Sequence, residues 1–63
     1  MNQDKEKARI LFINGLQAYY LKNYDKAEVF LQESLSLFSK GTARYNQVEK
    51  YLKKARQKKG ATA

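Results

Sequence analysis

Any chemistry in this chain has to come from carboxylates, hydroxyls, lysines, arginines and tyrosines, because it contains no histidine and no cysteine. Zinc-finger, thiolate and histidine-based acid–base chemistry are therefore excluded. The carboxylates Asp4, Glu6, Asp25, Glu28, Glu33 and Glu49 are scattered, and none falls in a metal-loop spacing. No glycine-rich phosphate loop occurs. Ser34, Ser36 and Ser39 have no general base near them in sequence. The expected chain is non-enzymatic and has neither a metal nor a cofactor.

The residue types that remain are cations and aromatics, and both are unevenly placed. The formal charge is +7. Nearly all of it arises in residues 40–63, where eight Lys or Arg stand against Glu49 alone. Lys50, Lys53, Lys54, Arg56, Lys58 and Lys59 could contact phosphates, with Tyr51 stacking on a base, so nucleic-acid binding is one reading. The commoner reason for such a face is solubility. Ile10 to Leu21 is the longest uncharged stretch, too short and too polar to span a bilayer. Residues 2–9 carry both signs of charge and are not expected to form a signal peptide.

Three helices must position these groups, in a chain long enough for one domain. There is no proline and there are only three glycines, which favours long helices over many short strands. The first is expected over about 4–21, capped by Asn2 or Asp4. Ala8, Leu11, Phe12, Gly15, Ala18 and Tyr19 recur at helical spacing. Ile10, Ile13, Leu16 and Tyr20 lie outside that stripe, so this helix is expected to pack between two neighbours. Asn23 should cap a second helix over 25–38, with a stripe of Ala27, Phe30, Leu31, Ser34, Leu35 and Phe38. The short break forces the two antiparallel. Gly41 is read as the left-handed residue ending that helix, and Thr42 as the cap of a third over 43–58. Tyr45, Val48, Leu52 and Ala55 form its apolar stripe, Lys50, Lys53, Lys54 and Lys58 its opposite side, and residues 59–63 a frayed tail. The expected fold is all-α: an antiparallel helical hairpin plus a third, C-terminal helix.

The run Gly15-x-x-Ala18-Tyr19-x-x-Lys22-Asn23-Tyr24-Asp25-Lys26-Ala27, followed by Leu31-x-x-Ser34-Leu35, resembles a tetratricopeptide repeat. Gly15 and Ala27 match its small residues and Tyr24 its aromatic at the turn, whereas Asn14, Ala18 and Ser39 depart from its pattern. Residues 8–41 correspond to one repeat. One 34-residue period beyond Leu11, Asn14 and Ala18 stand Tyr45, Val48 and Leu52, so the third helix resembles one that closes such arrays.

The resemblance implies a groove lined by Arg9, Phe12, Leu16, Tyr19 and Tyr20, joined by Asn46, Lys50, Lys53 and Lys54. An aromatic wall beside lysines would suit a protein or peptide partner carrying acidic groups. Phe12 fits the core as well as the groove. A lone repeat also leaves apolar surface uncovered, so Phe12, Ile13, Tyr19 and Tyr20 are candidates for contact with a second copy, giving a homo-oligomer.

Overall fold

The structure, a computed structural model, describes residues 2–62, and the side chains of residues 4–60. It is all-α: α1 spans Asn2–Tyr20, α2 Tyr24–Leu37 and α3 Ala43–Thr62. The expected frayed tail differs, because α3 continues helical to Thr62. No residue between Ala43 and Gly60 breaks it, since Gly60 weakens a helix without terminating it. The expected N-cap at Asp4 also differs: α1 already begins at Asn2, which leaves Asp4 in its first turn, near the positive end of the helix dipole.

The turn between α1 and α2 is built from the end of α1. Asn23 N–H donates to the Ala18 carbonyl at 2.8 Å, and Lys22 N–H donates to the Tyr19 carbonyl at 3.0 Å. This pair is the Schellman pattern, which requires a left-handed residue at Lys22. Lys22 accordingly has φ 64°. Asn23 then caps α2 as expected, its side chain accepting from Lys26 N–H at 3.5 Å.

Gly41 is left-handed, with φ 86°, but not as the residue that ends α2. That helix stops at Leu37, and Phe38 is already extended. Thr42 N–H donates to the Ser39 carbonyl at 3.3 Å, so Gly41 occupies the third position of a type II-like turn, where φ must be positive. Thr42 caps α3, its Oγ1 accepting from Tyr45 N–H at 3.2 Å.

α1 and α2 pack closely as a hairpin, and α3 lies mainly along α2. The sandwiched helix is thus α2, which corrects the expectation for α1. The core is Phe12, Ala18, Ala27, Leu31, Val48, Leu52 and Ala55, with Leu35 and Phe38 packed partly against it. α2 contributes Leu31 and Ser34, both fully buried. The Ser34 hydroxyl donates to the Ala8 carbonyl at 2.7 Å. Among the described residues, no buried side-chain polar atom lacks a partner. Ile10 and Ile13, expected to meet a neighbouring helix, stay about half exposed on the outward face of α1.

The Cα envelope measures 38 × 20 × 13 Å. A body this thin consists mostly of surface. Among the described residues no helix is long and apolar enough to cross a membrane.

Candidate partner-binding surface

An aromatic ladder follows the seam where α1 meets α3. Phe12 and Tyr51 have ring centroids 6.1 Å apart, and Tyr51 and Tyr19 6.0 Å at an interplanar angle of 78°. Tyr19 continues edge-on to Tyr20 at 5.6 Å and to Tyr24 at 5.7 Å. These are the tilted and edge-to-face geometries that aromatic quadrupoles favour. The ladder runs from the core to solvent: Phe12 is 3% exposed, Tyr19 and Tyr51 are half-buried, and Tyr20 is 67% exposed. Phe12 therefore belongs to the core and only underlies the surface, which corrects its place among the groove residues and among those that could meet a second copy.

Leu16 is half-buried against the core and stands one helical turn from Phe12, Tyr19 and Tyr20 on α1. Asn46, Lys50, Lys53 and Lys54 are exposed on α3. Lys54 joins the lysine face to the aromatic wall, its Nζ lying 5.4 Å from the Tyr51 centroid, within cation–π range. The Tyr20 phenol is held above its usual pKa, first by a hydrogen bond with Tyr51 and then by the same hydroxyl's charge when ionised. Leu16, Tyr19, Tyr20 and Lys54 thus share one surface with Tyr51. Arg9 also lines a cleft with Lys5 and Arg44.

The six-cation stripe of the nucleic-acid reading is divided. Arg56 Nε donates to Glu28 Oε2 at 3.0 Å, and Arg56 Nη2 donates to Gln32 Oε1 at 2.6 Å. Lys59 Nζ lies 3.0 Å from Asp25 Oδ1 and 3.1 Å from Glu28 Oε1. Hydrogen bonds from Lys59, then from Arg56, hold the Glu28 carboxyl below its ordinary pKa. Bonds to Asp25 and then Glu28 raise Lys59. Arg56 and Lys59 thus clasp α3 to α2 instead of standing as free phosphate contacts, while Lys58 is exposed and engaged in contacts of its own. Tyr51, assigned to base stacking, is packed among Phe12, Tyr19 and Lys54.

Tyr51 is the residue of this surface that sequence reasoning missed in its actual role. Its position on the α3 wheel, one residue before Leu52 and at the edge of the apolar stripe, was the available signal. Among the described residues no cluster of acidic side chains is arranged to hold a metal ion. The chain matches no family model, and comparison with curated proteins and with solved structures gives no match.

Proposed function

We propose that this chain is a non-enzymatic protein-interaction module, similar to a tetratricopeptide repeat with a closing helix, that binds an extended peptide or protein segment across α1 and α3. The observation that carries the reading is the continuous line Tyr20–Tyr19–Tyr51–Lys54, which joins an exposed aromatic to a lysine-bearing helix face. Such a wall offers apolar anchorage and a cationic rim, the composition expected where partners bury an aromatic or aliphatic side chain beside an acidic one. The Gly15–Tyr24–Ala27–Ser34 pattern supports the family likeness.

Self-association through Ile13 and Tyr20 is the other use of that face, and the formal charge of +7 opposes it at low salt. Nucleic-acid binding is disfavoured by the engagement of Arg56, Lys59 and Tyr51 within the fold. Affinity for an acidic peptide pool, measured for the wild type and for Tyr20→Ala, tests the proposal. The variant should bind more weakly, and equal affinity would refute the role of the aromatic wall.

A further inference from the structure

The cleft lined by Lys5, Arg9 and Arg44, of about 720 Å³, opens between the start of α1 and the α2–α3 turn. Lys5, Glu6 and Arg9 line one side, Leu37, Phe38 and Ser39 lie along α2 and its end, and Thr42 and Arg44 close the other side. Three cations therefore converge with one carboxylate around an apolar strip. None of Lys5, Arg9 and Arg44 takes part in an ion pair among the described residues. The clasp at Arg56 and Lys59 is the opposite case, where each cation already holds a carboxylate or amide.

Arg44 is also positioned in advance. Its guanidinium carbon sits 5.8 Å from the Phe12 centroid, and one NH group donates to Gln47 Oε1 at 3.3 Å. A guanidinium fixed in this way keeps further N–H donors in a fork suited to a carboxylate. Lys5 and Arg9, one helical turn apart on α1, face the same space.

We infer that this cleft binds an acidic–apolar segment of an extended polypeptide: an Asp or Glu carboxylate between Arg9 and Arg44, with the adjoining apolar side chain on Leu37 and Phe38. The charge complementarity selects an anion, and the apolar strip selects one joined to a hydrophobic group. Of the lining residues only Phe38 is half-buried and the rest are exposed. A free organic acid would leave most of its surface in water here, unlike ligands of enclosed pockets, whereas an extended chain gains contacts on both sides. A nucleic-acid strand would set phosphates against Glu6 and leave Leu37 and Phe38 without an apolar partner. The inference stands on this lining alone and does not depend on the tyrosine–lysine surface.

The test is an NMR titration of the whole ¹⁵N-labelled chain with an acetylated, C-terminally amidated hexapeptide, Ser-Leu-Glu-Leu-Gly-Ser, whose carboxylate is a side chain. Saturable shifts at Arg9, Leu37, Phe38 and Arg44 are expected. A Glu→Gln peptide, or an Arg9→Gln/Arg44→Gln protein, should lose about ten-fold or more in affinity, as expected for charge-assisted hydrogen bonds. Lys26→Gln, which removes one charge elsewhere, should change it by less than about two-fold. The peptide arm needs no protein variant, so misfolding of the double mutant cannot mask the answer. Equal binding of the Glu→Gln peptide would overturn the inference. So would the same shifts from inorganic phosphate alone, or tighter binding of a single-stranded RNA at these residues. Shifts at Tyr19 and Tyr20 with none at Arg9, Leu37, Phe38 and Arg44 would also overturn it, while leaving the proposed function standing.

Discussion

Leu31 passes so close to Gly15 that a β-carbon at residue 15 would lie 2.8 Å from its Cγ and 3.4 Å from its backbone nitrogen. Leu31 is fully buried and cannot swing aside into solvent. The missing side chain at Gly15 is what lets α1 and α2 pack backbone against side chain.

Gly15→Ala should therefore destabilise the fold even though alanine adds about 1 kcal/mol of helix propensity. Gly15→Leu should cost about 1–3 kcal/mol or more, a large part of the stability of so small a domain. Thermal melting followed by circular dichroism checks both. An unchanged midpoint for Gly15→Leu would mean that the close approach does not exist.

Lys22 invites the reverse change. It occupies the left-handed region with φ 64°, where glycine carries no steric penalty. Lys22→Gly should stabilise the chain by about 0.5 kcal/mol, after allowing for the lost charge at the C-terminal end of the α1 dipole. That gain should raise the midpoint by about 2–4 °C. A lower midpoint would contradict the Schellman turn.

The ends of the elements show what the sequence could and could not reveal. Asn23 and Thr42 were legible because a cap is local: the side chain reaches three residues ahead in its own chain. Gly15 was legible through the resemblance, because it stands where the repeat pattern places a small residue in its first helix. Lys22 was not, because lysine carries no conformational signature and only the turn geometry demands its φ. The clasp of Arg56 and Lys59 on Glu28 was hidden for a different reason. Pairs 28 and 31 residues apart depend on the register of α3 against α2, which no helical wheel contains. Phe12 was ambiguous for the same reason, and the side chain of Tyr51 decides it by lying across the seam.

That clasp predicts a pH dependence. The folded-state pKa of Glu28 is lowered, so its contribution is fully present above the unfolded-state value and is lost as pH falls through the folded one. The window lies below about pH 4.3. Lys59 is raised, so its share is present below the ordinary lysine value and is lost as pH rises through its folded value, above about pH 10.4. Both effects are modest, since about half of the Arg56 and Lys59 side-chain surface faces water. Melting midpoints measured from neutral pH into acid should fall more steeply for the wild type than for Glu28→Gln. Parallel curves would show that the ion pairs contribute nothing.

Partner recognition through the Tyr20–Tyr19–Tyr51–Lys54 line of α1 and α3, as proposed, can be checked by residue-resolved NMR titration. The ¹⁵N-labelled chain is titrated with an acidic peptide pool and with single-stranded DNA and RNA, each at two salt concentrations. The peptide pool is expected to shift Leu16, Tyr19, Tyr20 and Lys54, and these shifts should persist at high salt because the anchor is apolar burial. A single-strand binder would instead lose affinity with a slope of about −0.7 per phosphate contacted. Shifts confined to Lys50, Lys53, Lys54 and Lys58 that vanish with added salt would show that the tyrosine–lysine line is not the recognition surface.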